Sequence, residues 1–174
     1  MTGPAAEFSR IVPLGSLPAR GRAMEISASP TECQALARRF DIPAIESLSA
    51  ALQITPLADG RVRVTGTLTA RVVQVCVVAL EPFAHGVEAP VAVIFVPRAD
   101  FADDAEGAID PDTADEEPYD GERFDVGEAV AQTLSLALDP WPRNPESKLP
   151  PGGTGDADQP PAQNPFAALA KRRR

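Results

Sequence analysis

Two cysteines, one histidine, a dense run of carboxylates and a scatter of arginines are the side chains of this 174-residue sequence equipped for chemistry. A zinc site takes about four nitrogen, sulfur or oxygen ligands at tetrahedral spacing. Cys33, Cys76 and His85 stand apart with no paired motif among them, so no metal is expected. Cys76 lies among valines, which reads as a buried structural thiol in preference to a reactive one. His85 follows Pro82, Phe83 and Ala84 and precedes Gly86; the expectation is an exposed loop side chain, not a general base. No hydrolase triad is visible. Gly60, Gly66 and Gly86 are isolated and Gly152-Gly153 belongs to a linker, so no glycine loop can cradle a phosphate. The carboxylates between Asp100 and Glu128 read as a solvated tract, which cannot hold two acids at the fixed separation acid–base catalysis needs. A protein with no catalytic residue, cofactor or small-molecule substrate is expected.

Arg61, Arg63 and Arg71 fall on one parity of a strand-like pattern and so share its polar face. Guanidinium groups arranged in this way can follow a phosphate backbone through non-specific, salt-sensitive contacts. An ordinary solvated face is the competing reading. No aromatic platform for stacked bases accompanies them. A second cationic group, Lys171, Arg172, Arg173 and Arg174, follows Phe166 and Leu169, which are spaced for one side of a short helix. The four charges are a candidate RNA contact or a solubilising end; Phe166 and Leu169 are a candidate docking pair.

The net charge of −9 is unevenly distributed. Residues 1–99 hold nine basic and eight acidic side chains, residues 100–128 one and thirteen, and residues 129–174 six and four. The excess of negative charge sits in one segment, so overall acidity does not exclude a local phosphate-binding surface, because salt confines each patch to about 10 Å. No run of eighteen apolar residues and no basic, then apolar leader is present. Two unpaired cysteines fit a reducing compartment. The reading is a soluble cytoplasmic protein with no membrane partner.

These groups need elements to position them. Leu48, Ala50, Leu52 and Ile54 alternate with polar residues, and after Ala58-Asp59-Gly60 so do Val62, Val64, Gly66, Leu68, Ala70 and Val72. The pair reads as a hairpin. Beyond Val72 the apolar role passes to Val73, Val75 and Val77, which predicts a bulge near Val72-Val73 and turns Gln74 outward. Residues 87–96 predict a central strand covered on both faces in its middle, and residues 8–14 and 22–28 two shorter strands. Ser29-Pro30-Thr31-Glu32 opens a helix with a capping box, and Asp125-Val126-Gly127-Glu128 a second that Pro140 stops. Trp141 is expected to pack on the sheet. The fold class is α+β: a strongly curved antiparallel sheet of about five or six strands, bending toward a barrel, with two packed helices. Residues 1–143 form one domain with a mobile acidic insert at 100–120, residues 144–163 a flexible linker rich in proline and glycine, and residues 164–174 a short amphipathic basic tail.

Val75, Cys76, Val77, Leu80, Glu81, Pro82 and Phe83, then Gly127 and Glu128 after the acidic insert, then Leu138, Asp139, Pro140 and Trp141, occur in an order that resembles the YceD family, from about Ile45 onward. Asn164, Pro165, Phe166 and Leu169 resemble the tail of its alphaproteobacterial branch. The resemblance implies a role in accumulation of the large-subunit (23S) ribosomal RNA, its processing or ribosome assembly, with no catalytic residues to carry over. Many members have Cys-x-x-Cys where this chain has Cys76 and Ala79; the second cysteine is missing and none follows, so no metal role is carried over. Partners implied are large-subunit ribosomal RNA or its precursor, or else a basic ribosomal protein or assembly factor engaged by the acidic segment without RNA contact.

Overall fold

The computed structural model describes residues 6–101 and 115–147. The element order is β1 (Ile11–Pro13), β2 (Arg22–Ser27), α1 (Pro30–Arg39), β3 (Ala44–Pro56), β4 (Val62–Val75), β5 (Pro82–Pro97), β6 (Asp115–Tyr119), β7 (Arg123–Asp125) and α2 (Val126–Ala137). Strands β2 to β6 form one sheet in chain order, and β1 pairs with β7 in a separate ribbon. Mixed α+β architecture is as expected. The large sheet ends at β2 and β6 and no closed barrel forms among the described residues.

The long strands arise from the alternation. Leu48, Ala50, Leu52 and Ile54 of β3 and Val62, Val64, Leu68, Ala70 and Val72 of β4 are buried, each large side chain contributing about 1.5–3 kcal/mol by leaving water. With a side-chain period of two, a one-residue slip would turn a buried row to solvent. At Gly66 a Cβ would lie 2.1 Å from the Ala51 carbonyl oxygen. Only glycine permits that approach.

Several expectations need correcting. The parity of β4 does not switch: it pairs with β5 without a break to Val75, Gln74 is buried, and Val75 is 43% exposed. The irregularity lies instead on β3, between Ile45 and Ser47. Gln74 tolerates burial because its amide nitrogen donates to the Asp139 carbonyl at 3.0 Å and its oxygen meets His85 Nε2 at 2.8 Å. His85 therefore sits within β5, not in a loop. Its ring stacks on Phe83 with centroids 5.2 Å apart. On β5 the second face is open at Ala92 and closed at Val96.

The end of the acidic insert is structured. Residues 115–119 form β6, which runs parallel to β5 in a sheet otherwise antiparallel. Tyr119 anchors it: the ring is buried beside Phe124 and the hydroxyl donates to the Gly60 carbonyl at 2.7 Å. Residues 102–114 lie outside the described residues. Residues 144–147, expected to open a flexible linker, are held in place, since Asn144 to Ser147 turn back against Cys76; residues 148–163 lie outside the described residues. Trp141 does not pack on the sheet; it is 72% exposed, because the bond from its amide to Asp139 Oδ1 at 2.8 Å holds the chain in a turn that faces the ring outward.

Both helices start as their sequences dictate. Ser29 Oγ accepts from Glu32 N, and Glu32 returns a bond from Ser29 N at 2.7 Å. Asp125 accepts from Gly127 N and Glu128 N and also from Arg10 N at 2.7 Å, so one carboxylate caps α2 and fastens the chain entering β1. Cys33, Leu36 and Ala37 of α1 face β3, and Val126, Val130 and Leu134 of α2 join the core over β5 and β4. No described helix is long and apolar enough to cross a membrane.

Candidate functional site

Three surfaces gather the residues singled out above. The first is the solvent face of the large sheet. Strand pairing aligns Ser47, Ser49 and Gln53 of β3 with Arg71, Thr69 and Thr65 of β4, all exposed hydroxyl, amide or guanidinium groups. Arg63 and Arg71 are on this face, and Arg61 immediately precedes β4. Arg71 donates to Glu46 at 2.8 Å and Arg61 approaches Glu116 at 3.4 Å; Arg63 has no salt-bridge partner among the described residues. Glu25 and Glu88 also point this way, opposite Ala51 and Thr69. The face is hydroxyl-rich and not cationic.

The second surface is the tip of the β4–β5 hairpin. Cys76 N donates to the Glu81 carbonyl and Leu80 N to the Cys76 carbonyl, which closes a tight loop. Leu80 is held there at φ 57° and is 76% exposed, a left-handed conformation costly for a branched side chain. The enclosed Cys76 sulfur accepts from Ala79 N at 3.4 Å and Asn144 N at 3.3 Å, and donates to Ser147 Oγ at 3.5 Å. Those hydrogen bonds, the one from the Ala79 amide foremost, lower the thiol pKa to about 7 against the opposing effect of burial. Hydrogen-bond donors aimed at one sulfur do not make a metal ligand set. Among the described residues no group of three or more histidine, cysteine or acidic side chains is placed to hold a metal. Val77 N donates to the Pro142 carbonyl at 2.9 Å, which brings Trp141, Val77 and Leu80 to one end of the molecule as exposed apolar side chains.

The third surface is a groove of about 460 Å³ between β6 and α2, lined by Glu117, Asp120, Asp125 and Glu128 together with Ile11, Phe95 and Phe124. Desolvation, followed by the charges of Glu128, Asp115 and Asp125, raises the pKa of Glu117. Glu128 behaves oppositely, because Arg39 donates to it and lowers its pKa. A larger groove of about 580 Å³ between α1 and the start of β3 carries one charged group, Arg38.

A family model described as large ribosomal RNA subunit accumulation protein YceD matches residues 64–171. The chain belongs to the YceD family. No curated protein and no solved structure matches it. The match begins in β4, later than the resemblance read from Ile45, and on the first surface takes in Arg71 but neither Arg61 nor Arg63. The residues that carried the resemblance separate by role. Cys76, Leu80 and Glu81 build the hairpin tip and Phe83 supports His85. Asp139 accepts from buried Gln74 through its carbonyl, and Pro140 follows two residues after Leu138, the C-cap of α2. Gly127 and Glu128 set the start of α2. Phe166, Leu169, Lys171, Arg172, Arg173 and Arg174 lie outside the described residues.

Sequence reasoning did not find Gln74, Tyr119, Ile11, Leu136 or Glu117 as site residues. A signal existed for Tyr119, the one tyrosine in an acidic stretch. Exposure of Ile11 and Leu136 depends on the placement of β6 and had none.

Proposed function

We propose that this protein supports accumulation of the large-subunit ribosomal RNA as a non-catalytic cytoplasmic binding scaffold. We place it in the alphaproteobacterial branch of the YceD family on the motif formed by Asn164, Pro165, Phe166 and Leu169. The observation that carries the role is the family match from β4 through α2 to residue 171. In this reading Arg63 and Arg71, among sheet hydroxyls, and residues 171–174 contact phosphate. The contacts are electrostatic and weaken steeply with salt.

One observation favours a second reading, an adaptor that engages a basic ribosomal protein or assembly factor without touching RNA. Arg61 and Arg71 are already paired with carboxylates, and Glu25 and Glu88 share their face, whereas the groove beside α2 concentrates acids. Crosslinking in cells, with identification of both RNA and protein partners, separates the two. Ribosomal RNA recovered with the protein and lost on Arg63→Ala with Arg71→Ala supports direct contact. A basic protein that co-purifies through ribonuclease treatment and is lost on deletion of residues 102–114 supports the adaptor. Failure to recover any ribosomal component sinks both, and multiple-turnover cleavage of precursor RNA by the purified protein would overturn the non-catalytic reading.

A further inference from the structure

The helix layer of the fold has a free position. On the covered side of the sheet α1 packs on β3 and α2 on β5 and β4. Beyond α2 lies β6, on which no described helix packs extensively. Its parallel register puts Asp115 and Glu117 opposite Val93 and Phe95, so these two carboxylates occupy the face that elsewhere carries core side chains. The groove between β6 and α2 continues past Glu117 and Gln132 into a second part of about 270 Å³, floored by Val93 and Ala129 and ending at Leu136. Leu136 is 83% exposed and Ile11, at the opposite end, 52%.

Charge selects the occupant. Glu116, Asp120 and Glu128 face Arg61, Arg98 and Arg39, but Asp115 and Glu117 have no cationic partner among the described residues. Arg123 is the one basic residue that lines the groove. An occupant should therefore offer a small apolar side and a dense positive end.

We propose that residues 164–174 of the same chain dock in this groove, Phe166 and Leu169 against Leu136, Val93 and Ala129, and the terminal cations beside Glu117 and Asp115. The dimensions agree. The described residues end at Ser147, whose Oγ lies 3.5 Å from the Cys76 sulfur. Sixteen linker residues, 148–163, span about 20–24 Å on average, and the twelve residues of α2 extend about 18 Å. As a helix, residues 164–174 cover about 16 Å, so Phe166 at the Leu136 end brings the cations alongside β6. Tethering supplies a millimolar effective concentration, enough for a contact too weak to form between separate molecules. Docking covers the acidic groove with the chain's own cations.

Amide hydrogen exchange on the full chain tests this. Replacing Phe166→Ser with Leu169→Ser should speed exchange of residues 115–119 and of α2 about twofold, the loss expected for a contact near half occupancy at millimolar effective concentration. Leu136→Ser, at an exposed position, should do the same, and combining it with the tail changes should add nothing further. Glu117→Lys should reduce protection, and Arg172→Glu with Arg173→Glu in that background should restore it. Exchange in β6 and α2 unchanged by the tail substitutions overturns the proposal. So does protection lost at residues 77–80 and 141–143 instead, which would seat the tail on the hairpin tip. Protection that grows with protein concentration also overturns it, assigning the groove to a second copy.

Discussion

Arg39, the last residue of α1, grips Glu128 in the first turn of α2 through two bonds of 2.7 and 2.9 Å. The two helices touch the sheet over different strands, and this pair joins them across the core. Glu7 adds a third bond at 3.0 Å. Planar bidentate geometry at side chains only 34% and 24% exposed lifts the pair above an ordinary surface contact. Arg39→Ala should cost about 1 kcal/mol in urea unfolding, and Arg39→Lys, which loses the fork, a large part of that.

Glu32 predicts a pH dependence. Its carboxylate accepts from both terminal nitrogens of Arg10, at 2.6 and 2.9 Å, and from Ser29 N. Arg10 in particular brings its pKa down from 4.5 to about 2. A carboxylate with a depressed folded pKa stabilises above the unfolded value and loses that contribution as pH falls through the folded one. Stability of the intact protein should therefore fall between pH 4.5 and about 2, and Glu32→Gln should flatten that part of the curve. Equal slopes for the two proteins would refute the assignment.

Gly127 predicts a steric failure. A Cβ there would lie 2.6 Å from the Phe8 carbonyl oxygen and 2.7 Å from Arg10 N, both backbone atoms of the segment that Asp125 ties to α2. Neither can swing aside as a side-chain end would. Gly127→Ala should destabilise by about 2–3 kcal/mol through overpacking, read as a lower melting temperature.

The elements whose signals are local were legible in sequence. Ser29, Pro30 and Glu32 announce α1, Asp125 announces α2, and the alternation from Leu48 to Val72 gives two strands with their buried rows. Features that depend on distant partners were not legible. Gln74 looks misplaced until Asp139 and His85 are brought to it from 65 and 11 residues away. Residues 115–119 are too acidic to suggest a strand, and form one because β5 offers a free edge and Tyr119 finds Gly60. The candidate surfaces divide in the same way. The arginine face follows from parity alone, but its neutralisation by Glu46 and Glu116 requires the fold.

Trp141 offers a direct optical check. At 72% exposure, this one tryptophan should emit as a solvated indole and be quenched by acrylamide nearly as well as free tryptophan. Unfolding should change the emission little. A blue-shifted, protected emission would mean that another part of the chain covers the hairpin tip.

Cys76 separates the effect of burial from that of hydrogen bonding. Full enclosure of its sulfur disfavours the thiolate, while the Ala79 and Asn144 amides and the Ser147 hydroxyl favour it, and the hydrogen bonds prevail with a pKa of about 7. Cys33 is pushed the other way by burial and by Glu32, so the two thiols titrate apart. Thiolate absorbance in the ultraviolet should rise with a midpoint near pH 7, and vanish from that range in Cys76→Ser. Removing the Ser147 hydroxyl in Ser147→Ala should move the midpoint upward. Alkylation should nevertheless be slow at pH 8, because a reagent must first displace the turn from Asn144 to Ser147. A midpoint at the ordinary thiol value of about 8.5 in the intact protein would show that enclosure cancels the effect of these hydrogen bonds.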